Sequence, residues 1–268
     1  MRLLQTFSLS RMMAGLAVAL VACQAQAGKI LVITGDEFHE WKKTAPLIQE
    51  LLTKAGHTVD LTEKPGKDLT TENLAKYDAF VLNYRDTPNG AKTNPDSVWS
   101  DDNKKAFLAA VRGGKGLYVH HWSSAAFTAD NPLNKEYEKV LAGGWRKQGN
   151  HGKKHEFTVA VRKEHPITAG LTEFKHTTDE LYQNSVMFPG SVVLATAYAD
   201  ATIDPKNSGK HEAMVWTAAY GKGRVVENVL GHDLTAMACP GFQVLLVRGV
   251  EWAATGDTKA PVPQALKK

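Results

Sequence analysis

The chain has almost no cysteine. Cys23 and Cys239 are the only two among its 268 residues, and Cys23 falls in a stretch that reads as a removable leader. A single remaining thiol cannot close an internal disulfide, so the core must hold the fold even in an oxidising compartment. A chain of this length buries enough surface to do so. Long apolar runs are missing too. The run from Met12 to Cys23 is short of the roughly 20 residues a membrane-spanning helix needs. Nor is there a surplus of one charge. The formal net charge is +4, with Lys and Arg scattered rather than gathered in stripes, which excludes a charge-built nucleic-acid surface. No P-loop pattern is present, and no dinucleotide fingerprint follows the first strand. Neither NAD nor another nucleotide is therefore an expected cofactor.

What is there begins with an export signal. Arg2 and Arg11 precede the apolar run, and Ala25-Gln26-Ala27 offers a small-x-small cleavage site. Residues 1–27 read as a signal peptide. Cleavage would leave Gly28 at the N-terminus, a net charge of +2, and a periplasmic or secreted protein. A second reading shares the site. Leu20-Val21-Ala22-Cys23 has the form of a lipobox, and lipidation at Cys23 would anchor the chain to a membrane. Against it, the first strand starts at Lys29, which leaves almost no tether.

The body, 28–256, reads as one α/β domain. Lys29 to Gly35 is an apolar run ending in glycine, as buried parallel strands do. Helical spacing runs from Thr44 to Ala55 and closes at Gly56. Strands follow at His57–Thr62 and Tyr77–Tyr84, with a short helix at Leu74 between them. A polar loop spans Arg85–Ser100. A helix covers Asp101–Arg112, with Asp101 or Asp102 as its N-cap, and Leu117–His120 is a fourth strand. This alternation predicts a mostly parallel sheet with right-handed crossovers. Further on, Glu156–Arg162, Val192–Tyr198, Glu212–Ala219 and Arg224–Leu230 read as strands of an antiparallel extension. Phe242–Ala253 is a closing helix. Residues 257–268 are expected to form a poorly ordered polar tail.

Polar clusters sit where three parallel strands end: Asp36 to Trp41, His120-His121-Trp122, and Gly231-His232-Asp233. Open α/β sheets bind ligands at that edge. Adjacent residues of a strand face opposite ways, so His121 is expected to face the site and His120 a supporting hydrogen bond. His121, His232 and Glu180 are the candidate acid–base residues. His39, His121 and His232 are the candidate ligands of a divalent metal, zinc or manganese. Asp36, Trp41, Trp122, Trp145, His151, Tyr182 and Asp233 are candidate sugar contacts, the tryptophans by stacking. Asp36 and Asp233 could instead cap helices. Glu180 and Tyr182 lie in what reads as an irregular stretch. His165 reads as a turn residue, and His57 and His176 as surface residues.

The ordered set of motifs resembles the ThuA-like family, named for trehalose utilisation. It comprises Thr34-Gly35-Asp36 with His39, Gly114-Lys115-Gly116-Leu117 leading to His120-His121, Gly143-Gly144-Trp145, His165-Pro166-Ile167 with Gly170-Leu171, Asp179-Glu180-Leu181-Tyr182, Gly221 to Val225, Leu230-Gly231-His232-Asp233, and Trp252-Ala253. The resemblance implies a flavodoxin-like, class I glutamine-amidotransferase-like fold and a place in bacterial sugar catabolism, including routes through 3-keto-glycosides. The turn where amidotransferases carry their cysteine holds His120-His121 here, so no glutaminase activity is expected. The sequence therefore supports an exported enzyme acting on an oxidised glycoside. A non-catalytic sugar-binding module is the alternative, and a partner-binding domain a third reading. Oligomeric state is left open.

Overall fold

In a computed structural model, the described residues are 28–36, 39–85, 90–127, 132–162 and 165–267. The expected leader and Cys23 lie outside them. A nine-stranded sheet runs through the molecule. Its strands are β1 (Lys29–Ile33), β2 (Thr58–Thr62), β3 (Ala79–Leu82), β4 (Gly116–His120), β5 (His155–Val161), β6 (Phe174–Asp179), β7 (Val192–Tyr198), β8 (His211–Tyr220) and β9 (Gly223–Asn228). The order across the sheet is β2-β1-β3-β4-β9-β8-β7-β5-β6. The first five in that order are parallel, and every pairing from β9 to β6 is antiparallel. The mostly parallel α/β sheet with an antiparallel extension is thus as the sequence predicts.

Four longer helices cover the sheet: α1 (Trp41–Lys54), α2 (Asp101–Arg112), α3 (Pro132–Leu141) and α4 (Pro240–Thr255). Strand alternation decides which helix meets which residue. Ile30, Val32, Val81 and Tyr118 join Ile48 and Leu52 of α1 and Leu245, Leu246 and Val250 of α4. Leu31, Ile33, Phe80, Leu82, Leu117 and Val119 join Phe107 and Val111 of α2 and Tyr137 of α3 on the other face.

Several local expectations are corrected. The N-cap of α2 is Ser100, not Asp101 or Asp102. Its hydroxyl accepts from Asn103 N at 3.2 Å, and Asn103 Oδ1 accepts from Ser100 N at 2.9 Å, a reciprocal capping box. The tail is packed rather than loose. Glu251 of α4 accepts from the amides of Lys259 and Ala260 at 2.8 and 3.0 Å, and Arg248 donates to Ala260 O at 2.7 Å. Leu266 is buried, and Lys267 bridges to Leu171. Charged side chains on α4 thus offer partners that a polar tail finds attractive. His57 is half-buried rather than exposed.

Glu227 stands in the core on β9, 1 % exposed. Burial pushes its carboxyl well above the usual range, and the Ser124 hydroxyl and Arg146 guanidinium relieve this only in part. The unfolded chain loses this proton at about pH 4.3. The folded group holds it to higher pH, so its stability contribution is fullest below that value and falls as pH rises. Glu227→Gln is therefore expected to melt higher than the parent above pH 6. The gap should widen with pH at about 2–4 °C per kcal/mol recovered. Equal melting temperatures from pH 5 to 9 would contradict a protonated Glu227.

Candidate metal centre

The carboxyl ends of β1, β4 and β9 share one edge because these strands are parallel. His39 follows β1, His121 follows β4 and His232 follows β9. Glu180 reaches the same point from the end of β6, the far edge of the antiparallel half. One donor atom from each of these four residues lies within 4.8 Å of all the others. His121 Nε2 is 3.2 Å from His232 Nδ1 and 3.6 Å from Glu180 Oε2, and His232 Nδ1 is 3.1 Å from Glu180 Oε2. Ligands around a tetrahedral zinc with bonds of about 2.0–2.1 Å stand roughly 3.3 Å apart. The spacing and the chemistry of this donor set both fit a divalent ion.

His121 is placed by backbone as much as by sequence. It opens a 3-10 turn, His121–Ala125, with φ of 47°. A left-handed conformation in a non-glycine residue costs about 1–3 kcal/mol and is common at functional turns. It lifts the side chain out of the strand's alternation. His121 Nδ1–H donates to Val229 O at 2.7 Å, which leaves the Nε2 lone pair facing the cluster, as an ordered metal ligand requires. The Tyr182 hydroxyl lies 3.1 Å from that nitrogen. His120 turns inward, its Nδ1 3.0 Å from Asn83 Oδ1, the supporting bond the sequence predicts. Behind His232, Gly231 has φ of 98°, and a Cβ there would lie 2.4 Å from the Phe242 ring and 2.7 Å from His120 Nε2. Only glycine fits.

Electrostatics sort the roles. Burial, then the neighbouring His121 and His232, lowers the His39 pKa to about 2, so its ring is neutral at working pH. Burial pushes the Glu180 carboxyl up, but the neighbouring His121 and His232 outweigh it and hold the group below the ordinary range. Glu180 is ionised. Tyr182 is pushed well above the usual phenol range by burial and then by Glu180, so it keeps its proton.

An aromatic wall runs outward from the centre. Tyr182 and Trp145 have ring centroids 4.4 Å apart, Trp145 and Trp122 5.7 Å, and Tyr182 and His151 6.3 Å. His151 Nε2 is 3.7 Å from Glu180 Oε1 at the exposed end. The Arg85 guanidinium lies 4.4 Å over Trp122. Trp41 stands apart from this wall. It lines a separate depression with Asp36, Glu63 and Asn94, and Lys42 sits over its ring. Asp36 is buried and accepts from the Arg85 amide rather than capping α1. Asp233 caps the helix Leu234–Met237 through Ala236 N at 3.1 Å and pairs with Lys154 at 3.0 Å. That is the structural role the sequence left open for it.

His176 is a correction. It is fully buried on β6, with Nε2 2.8 Å from Asp179 Oδ2. Burial works against its charge, but the bonds to Asp179 and then to Cys239 raise its pKa to about 9. Neither His176 nor Asp179 was assigned a role from sequence. Their signal is faint, two polar residues on the inward side of an otherwise ordinary strand. Asn83 and Arg85 were missed as well, being single residues just past the end of β3.

The family model described as trehalose utilisation, ThuA, matches residues 29–253. No curated protein matches the chain. Among solved structures, a ThuA-like protein from Parabacteroides merdae is 29% identical with a TM-score of 0.76, covering 91% of this chain and 95% of that one. A ThuA-like protein from Bacteroides uniformis is 20% identical with a TM-score of 0.63, covering 89% and 98%. A cytoplasmic protein from Salmonella typhimurium is 15% identical with a TM-score of 0.60, covering 84% and 99%. The last two speak to the fold alone. With the motif order, the sheet topology and the strand-end histidines all in place, the chain belongs to the ThuA family, a family tied to sugar utilisation.

Proposed function

We propose that this protein is an exported, metal-assisted enzyme that eliminates the glycosidic group from a 3-keto-glycoside. The observation that carries the reading is the grouping of His39, His121, His232 and an ionised Glu180 within 4.8 Å, beside an aromatic wall suited to a sugar ring. His39, His121 and His232 would hold the ion; three protein ligands with an open position are the usual catalytic arrangement for zinc. A bound divalent cation supplies a Lewis acid for the keto oxygen. Manganese fits the same histidine set less well than zinc, which prefers nitrogen donors.

The remaining work falls to the chain's own residues. A 3-keto group acidifies the C2 proton, and Glu180 takes it. The electron pair passes to the C2–C3 bond and the keto oxygen, then returns to form C1=C2 as the C1–O bond breaks. Tyr182, held protonated, donates to the departing oxygen. Glu180 passes its proton through His151 to solvent, and Tyr182 regains one from water. Trp122 and Trp145 stack on the ring and exclude water from it.

The test uses mature protein purified without a metal column or chelator. Near-stoichiometric zinc or manganese, with release of the aglycone from a 3-keto-glucoside, is the expected result. A protein that stays metal-free on reconstitution and turns nothing over would overturn the reading. Saturable binding of intact glycosides without turnover would instead favour a sugar-binding module.

A further inference from the structure

Asp179 makes an unusual set of bonds. Its Oδ1 accepts from the amides of Glu180 at 2.8 Å and His232 at 3.2 Å. Its Oδ2 accepts from the amide of Gly231 at 2.7 Å and from His176 Nε2 at 2.8 Å. An ionised carboxylate offers about four acceptor sites, and all four are taken. Asp179 is fully buried and has no lone pair left for a metal or a substrate.

The backbone donors come from two loops far apart in sequence. One carries Glu180 from the end of β6; the other carries His232 from the end of β9. In the sheet, β6 and β9 are separated by three other strands. No ladder hydrogen bond joins them, so their spacing depends on what bridges their ends. A buried charge pair is also a poor way to gain stability, since apolar residues of equal volume often do as well or better. Its persistence here is better explained by what it aligns.

We propose that Asp179, backed by His176, is the positioning residue of the centre, setting the distance between Glu180 and His232. The inference rests on the metal-centre reading for its functional consequence, but the geometric claim stands separately. Outer-shell partners of metal ligands commonly tune affinity in this way; this one acts through backbone amides rather than through the ligand's own ring.

The test is Asp179→Asn in the mature protein. Zinc affinity is measured by chelator competition, and amide hydrogen exchange is followed at Gly231 and His232. Val226→Ala, a core truncation on β9 away from the centre, serves as a control for general destabilisation. The expected result is a roughly 10- to 100-fold loss of zinc affinity with faster exchange at both amides, while Val226→Ala keeps parental affinity. Parental affinity and unchanged exchange in a folded Asp179→Asn would overturn the proposal. If the parent itself binds no zinc, the metal reading fails, and the exchange data alone decide whether Asp179 holds the loops. Should Asp179→Asn not fold, His176→Phe removes one of the four bonds and its charge, and the same two measurements apply. A smaller loss in the same direction supports the assignment, and no change refutes it.

Discussion

Replacing His121 with alanine is expected to remove both the bound metal and the turnover. His121 holds the centre of the cluster. Its Nε2 lies 3.2 Å from His232, 3.6 Å from Glu180 and 3.1 Å from the Tyr182 hydroxyl, and its Nδ1 is tied to Val229 O. Outer-shell changes alone cost roughly 10- to 100-fold in metal affinity or activity, and loss of a direct ligand should exceed that. Folding is a separate matter. With φ of 47°, His121 is strained in a way that glycine is not. His121→Gly should therefore melt above His121→Ala while losing the metal equally. Elemental analysis and melting curves on both variants check this. A variant that retains stoichiometric metal would remove His121 from the ligand set.

Glu180→Gln should separate a base from a ligand. The carboxylate is ionised and touches His121 and His232 through one oxygen and His151 through the other. If three histidines hold the ion and Glu180 takes the proton, the amide variant should keep its metal. Turnover should fall by about 10²–10⁴, the usual contribution of a positioned base. The loss should appear in kcat more than in KM, because the amide is nearly isosteric. Loss of metal together with activity would make Glu180 a fourth ligand instead. Activity within tenfold of the parent would exclude it from the chemistry.

The strands β1, β3 and β4 were legible because both of their faces are apolar and buried. Val192–Tyr198 and the α2 range match the structure residue for residue. The convergence of His39, His121 and His232 followed from topology alone, since parallel strands share an edge. Glu180 was a weaker inference, because β6 was not recognised as a strand. Its inward residues, His176 and Asp179, are polar, and inward polar residues erase the alternation that marks a strand. The helix α3 was overlooked although Leu133, Tyr137, Val140 and Leu141 fall at helical spacing. The ordered tail was beyond reach, because its partners Arg248 and Glu251 are buried charged residues on α4, and charged residues carry no sign of burial in a sequence.

The four donors come from positions 39, 121, 180 and 232, so each is separated from the next by a large stretch of chain. An ion held by His39, His121 and His232 would act as a removable crosslink, closing long loops at an entropic cost otherwise borne by folding. At a free concentration 100 times its Kd, such a ligand adds about 2.7 kcal/mol to the folded state. Since proteolysis commonly follows the population of open forms, metal supply would govern how long each copy survives as well as how fast it works. A cell short of the ion would then clear the idle protein first.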